Sequence, residues 1–220
     1  MLRKMFLVAT AAMAGASVFG FSGNASAHTF DADVDNYAIP DGVSITGLTY
    51  GGTGCKDGAV AVDLSPDYQA LTIIFDKYVA QVGQGLDGAD KRKFCHLVVQ
   101  LDYPAGFSYA LMKLDYSGYA SLDYGVKAEQ KSTYFFQGFR KDDRFTFKTK
   151  LLGEFDGDYH VKDELETVSW SPCGKKRGLN VVTSVQVDNG RHKDAVGMIT
   201  IDSIDASVKE TYSLGWRKCE

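Results

Sequence analysis

Four groups of residues in this chain have types and spacings that bear on chemistry. The first begins at His28. Ala25-Ser26-Ala27 is a cleavage site of the A-x-A kind, and removal of everything before it leaves His28 at the N-terminus. A terminal histidine offers an amine and an imidazole nitrogen, donors that suit Cu(II). His96, His160 or His192 would supply a further ring, as in the secreted copper oxygenases that attack polysaccharides. Close behind, Asp31, Asp33 and Asp35 alternate like the first ligands of a calcium loop. That match ends downstream, where Pro40 interrupts it and Gly42 stands in place of a bidentate glutamate. A solvated acidic arm explains the same aspartates. The main reading is therefore a protein without a cofactor, with calcium at Asp31, Asp33 and Asp35, or copper at His28, as the metal alternatives.

The second group is Glu164 and Glu166. Two positions apart, they share one face of a strand at about 7 Å, a separation compatible with the acid and base of a glycosidase. The segment Asp163-Glu164-Leu165-Glu166 carries no longer acidic signature, so solvated strand-face carboxylates are the simpler reading. The third group is the aromatic stretch 116–139. Tyr116, Tyr119, Tyr124 and Tyr134 are the candidate ligand-binding residues, because tyrosines on an exposed β face stack on sugar rings; the competing reading is core packing with the hydroxyl at the rim. The fourth group is Cys55, Cys95, Cys173 and Cys219. An even count in an exported chain reads as two disulfides. Of the three connectivities, the sequential one, Cys55–Cys95 and Cys173–Cys219, is preferred. With all four cysteines committed there is no cysteine nucleophile. No G-x-S-x-G and no α/β alternation support a serine hydrolase. Gly51-Gly52-Thr53-Gly54 lacks the lysine-serine pair of a phosphate loop and reads as a turn.

The totals narrow the partners. Arg3 and Lys4 precede an apolar run from Met5 to Phe21, which makes residues 1–27 a signal peptide. Gly15, Ser17 and Gly20 interrupt the run, and no later stretch is long enough to span a bilayer. Loss of the leader's two cations moves the net charge from −4 to −6. An acidic surface disfavours nucleic acid and anionic membranes as partners. The acids are mostly aspartate, with only Glu129, Glu154, Glu164, Glu166, Glu210 and Glu220 as glutamates. That choice favours turns over helices.

The elements that must position these residues are strands. Val43 and Ile45, then Leu48 and Tyr50, alternate with a break at Gly47 that suggests a bulge. Cys95, Leu97, Val99, Leu101 and Tyr103 share one face, opposite His96, Gln100 and Asp102. Phe145, Phe147, Thr149 and Leu151 alternate with Arg144, Thr146, Lys148 and Lys150, a half-exposed strand with the cations expected of a protected sheet edge. Leu179 to Val187 and Tyr212, Leu214 and Trp216 follow the same period of two. Residues 84–93 read as a loop with one helical turn. Short strands between Gly and Asp turns, without amphipathic helices, predict an all-β fold: a two-sheet β-sandwich, jelly-roll-like, stapled by two disulfides. The expected organisation is a signal peptide (1–27), an acidic arm (28–42) and one β-sandwich domain (43–220).

Several motifs occur in an order that resembles a known family. They are Thr49 to Cys55, Leu64-Ser65-Pro66-Asp67, Phe75-Asp76-Lys77-Tyr78, Arg92-Lys93-Phe94-Cys95, Tyr103 to Phe107, Tyr116 to Ala120, Phe155 to Tyr159, Trp170 to Gly174 and Trp216 to Cys219. Together they resemble the secreted "domain of unknown function 4360" family over nearly the whole chain after residue 43. The resemblance implies a secreted all-β domain with two disulfides and implies no activity. The sequence thus points to a secreted protein, extracellular or periplasmic, that serves as a non-catalytic binding or structural domain for extracellular or envelope carbohydrate. The alternative is a secreted carbohydrate-active enzyme, either a glycosidase or a copper oxygenase using His28.

Overall fold

The computed structural model describes residues 37–165, 168–201 and 210–219. Twelve strands among them pair into two antiparallel sheets. One sheet has the order β1 (Ser44–Gly51), β5 (Arg92–Asp102), β10 (Leu179–Asp188), β7 (Lys127–Phe136) and β8 (Phe145–Leu152). The other runs β2 (Val60–Leu64), β3 (Ala70–Phe75), β12 (Glu210–Lys218), β6 (Phe107–Leu122), β11 (Gly197–Thr200) and β4 (Val79–Val82). In that second sheet, β9 (Phe155–Glu164) pairs with β6. Most successive strands change sheet, so the chain wraps around one interior in the manner of a jelly roll. The predicted helical turn is a 3-10 turn at Gly88–Asp90. No helix among the described residues is long and apolar enough to cross a membrane.

The interior follows the period-two patterns. Cys95, Leu97, Val99, Leu101 and Tyr103 are all buried, and the same holds for Leu179, Val181, Thr183, Val185 and Val187. The break near Gly47 is a register shift between Ile45 and Gly47. A second shift, opposite Ser213 and Leu214, lies in the pairing of β6 with β12. It matters more, because it changes which face of β6 looks inward. Tyr109 and Leu111 are buried before it, Leu114 and Tyr116 after it. Odd positions give way to even ones, as one extra residue in a strand requires.

Aromatic rings join the sheets at one end. Tyr109 stands edge-on to Tyr103 and Phe136, with centroids 5.6 and 5.1 Å apart, and packs 5.3 Å from Trp216. Trp216 donates its Nε1–H to the carbonyl of Tyr68 at 2.7 Å, so its one polar atom is satisfied. Both disulfides follow the sequential pairing, with Cα separations of 5.5 Å for Cys55–Cys95 and 5.9 Å for Cys173–Cys219. Trp170 has a different place from Trp216. It forms a single bridge to Ala110 and remains partly exposed, with the Arg217 guanidinium 4.4 Å from its ring. β8 is an edge strand, and its Lys148 and Lys150 point to solvent, which blunts edge-to-edge pairing.

Candidate functional site

The phase change in β6 decides the fate of the four candidate tyrosines. Tyr116 is buried at 2 % exposure and Tyr134, on the inward face of β7, at 1 %. These two are not ligand-binding residues: both point between the sheets, where no sugar ring can reach them. Tyr119 lies on the outer face of β6, half-buried, and Tyr124 is 71 % exposed in the turn after that strand.

Tyr124 sits beside a groove of about 630 Å³ lined also by Ser121, Asp123, Glu154, Phe155 and Asp156. Local sequence builds it. The antiparallel register places Ser121 opposite Asp156 and Tyr119 opposite Asp158, so the outward faces of β6 and β9 bring hydroxyls against carboxylates. The Tyr119 hydroxyl donates to Asp156 Oδ1, and that bond holds the phenol above its ordinary range. At the corner between β8 and β9, a Cβ on Gly153 would stand 1.9 Å from the carbonyl oxygen of Asp123. Glycine there lets the corner press against the β6–β7 turn and brings Glu154 to the groove. The turn itself is held by Asp123, whose Oδ2 accepts the Val196 N–H at 2.7 Å. The His192 ring meets Tyr124 edge-on at 5.8 Å, in space that a side chain on Gly125 would fill. The result is one exposed aromatic face among three carboxylates, Asp123, Glu154 and Asp156. Carboxylates accept hydrogen bonds from hydroxyls, and the ring offers an apolar platform.

The other candidates stand apart from this groove. His28, Asp31, Asp33 and Asp35 lie outside the described residues, as does Glu166. Glu164 is exposed and paired with Lys113 at 3.0 Å. His96 Nε2 is 2.9 Å from Asn180 Oδ1 on the outer face of the five-stranded sheet. Among the described residues, no group of three or more His, Cys, Asp or Glu side chains is placed to hold a metal ion.

A buried carboxylate lies apart from the groove. Glu210 is 2 % exposed between the sheets. Tyr212 donates its hydroxyl to Glu210 Oε2, while Oε1 has no hydrogen-bond partner among the described residues. Burial pushes this carboxyl up to about 7. Its surroundings are phenolic: Tyr116, Tyr134, Tyr159 and Tyr212 all feel its charge and are pushed upward, chiefly by their own burial. Tyr116 extends the polar set toward the sheet edge, donating to Asp163 Oδ2 at 2.9 Å. The signal was present in the spacing, because Glu210 precedes Tyr212, Leu214 and Trp216 on the same face.

Comparison with known proteins gives a family. Residues 41–219 match the model described as Domain of unknown function (DUF4360). An uncharacterized secreted protein of Arthroderma benhamiae is 43 % identical over 186 residues, which cover 84 % of this chain and 75 % of the relative. Among solved structures, TmCBM61 in complex with beta-1,4-galactotriose is 13 % identical, with a TM-score of 0.27 over 79 % of this chain and 89 % of that one. A black queen cell virus chain is 10 % identical, with a TM-score of 0.24 over 97 % and 88 %. At such scores neither likeness carries an argument about ligands. The family match and the secreted relative together settle the class: the chain is a secreted protein and belongs to the Domain of unknown function (DUF4360) family.

Proposed function

We propose that this secreted protein binds an extracellular or cell-envelope glycan in the groove beside Tyr124. The observation that carries the reading is the exposed Tyr124 side chain lining one groove with Asp123, Glu154 and Asp156. A sugar presents axial C–H groups to an aromatic face and hydroxyls to carboxylates, and this groove supplies both partners. The carboxylates also set the charge. Among the described residues no lysine or arginine lines the groove, so a uronate or sulfated polymer would meet like charge, and a neutral polysaccharide fits better.

The test is calorimetric titration of the mature protein with neutral wall polysaccharides, with a polyuronate as control. Tyr124→Ala is expected to weaken binding roughly fivefold, in line with the ~1 kcal/mol of an aromatic contact. Asp156→Asn weakens it less, because the amide oxygen still accepts. Neither substitution lies in the core, so both variants keep the wild-type unfolding midpoint. Equal affinity of wild type and Tyr124→Ala, or a preference for the polyuronate, removes the proposal.

A further inference from the structure

Further along the outer face of β6 and β9, away from the groove residues, three side chains form a continuous relay. Ser117 Oγ lies 2.7 Å from His160 Nδ1. His160 Nε2 lies 3.1 Å from Asp115 Oδ1. Strand geometry explains the arrangement. Asp115 and Ser117 are two apart on one face of β6, and the register sets Ser117 directly opposite His160. The ladder between these strands runs from Lys113 to Leu122. Next to His160, the buried Tyr159 anchors β9 by donating its hydroxyl to the carbonyl of Thr200 at 2.6 Å. The relay therefore stands on paired strands rather than on a loop.

These contacts fix the tautomer. With Nε2–H donating to the Asp115 carboxylate, Nδ1 is left as the acceptor for the serine hydroxyl. A hydroxyl bonded to an imidazole that is itself oriented by a carboxylate is the arrangement that activates a serine. We propose that Ser117 is a nucleophile for acyl transfer, with His160 as its general base and Asp115 as the residue that orients the ring and stabilises its charged form. The proposal does not depend on what the groove binds.

The substrate class follows from the surface. The relay lies on an open sheet face, with the His160 side chain 52 % exposed, so a small, short-chain ester fits. In the first step Oγ bonds to the acyl carbon and its proton moves to Nδ1. The tetrahedral oxyanion then collapses, the C–O bond to the alcohol breaks, and the leaving oxygen takes the proton from Nδ1. Water repeats the sequence on the acyl-serine and releases the carboxylic acid, which restores Ser117. Lys162, with Nζ 3.6 Å from Asp115 Oδ2, pairs with the carboxylate that orients the ring.

The test uses the mature protein, a fluorophosphonate probe with mass-spectrometric mapping, and p-nitrophenyl acetate turnover. The expected result is a single label on Ser117, absent in Ser117→Ala and slower by a factor on the order of 10² or more in His160→Gln. Asp115→Asn is expected to slow labelling and turnover in parallel. All three side chains are at the surface, and an unchanged unfolding midpoint confirms that each variant folds. An unlabelled Ser117 in the wild type overturns the proposal, as does labelling of His160→Gln at the wild-type rate.

Discussion

Replacing Glu210 with glutamine is expected to abolish a loss of stability that the wild type suffers between pH 4.5 and about 7. The unfolded carboxyl ionises near its ordinary 4.5, whereas the folded one holds its proton up to about 7. Between those values the native state binds more protons than the unfolded state, so stability falls as pH rises. Below the lower value the contribution is fully present, and above the upper one it is gone. The difference corresponds to about 3 kcal/mol. The physical cause is a buried carboxylate facing Tyr212 on its own strand, Tyr134 on β7, Tyr116 on β6, Tyr159 on β9, and Tyr78. Among the described residues no cation pairs with it. Glutamine keeps an oxygen to accept the Tyr212 hydroxyl but cannot ionise. The amide's extra N–H groups shift stability by an amount that is the same at both pH values, so the change with pH isolates the carboxyl. Urea unfolding at pH 4.5 and pH 8 is the measurement. The wild-type midpoint should drop and the Glu210→Gln midpoint should stay level; parallel behaviour of the two proteins would contradict the assignment.

The second large effect concerns the C-terminal strand. Removing the Cys173–Cys219 bond by double substitution to alanine is expected to cost about 4 kcal/mol, the chain-entropy value for a loop of 46 residues. This bond ties β12 to the segment that docks on β6. There the Ser171 N–H donates to the carbonyl of Tyr109 at 2.8 Å, and Ser171 Oγ accepts the Tyr109 N–H at 3.0 Å. Beyond the bond, Cys219 N–H donates to the carbonyl of Gly106 at 2.7 Å. Denaturant unfolding of the double variant, with and without reductant, reads the effect. Wild-type stability in the double variant would show that β12 is held by Trp216 and its neighbours alone.

Much of the fold was legible because strands advertise themselves locally. The alternation of Cys95, Leu97, Val99 and Leu101 declares an inward face without knowledge of any partner strand. The cations of Lys148 and Lys150 declare an edge in the same way. Tyr116 and Tyr134 were misread for an equally local reason. Treated as parts of one aromatic stretch, they looked like neighbours of Tyr119 and Tyr124. They lie on strands of opposite sheets, and the phase change in β6 turns Tyr116 inward. Glu210 is the inverse case: its spacing placed it inside, while its charge suggested the surface.

By itself the sequence determined the strand periodicity, the acidic net charge and the preference for sequential cysteine pairing. Those properties reside in single segments or in the sum of charges. Only the tertiary structure decided which tyrosines meet solvent, that Glu154 and Asp156 share a groove with Tyr124, and that Ser117, His160 and Asp115 touch. Each of those depends on register between strands far apart in the chain. A shift of one residue would reverse the faces, and the register comes from bulges, corners and packing that no single stretch contains.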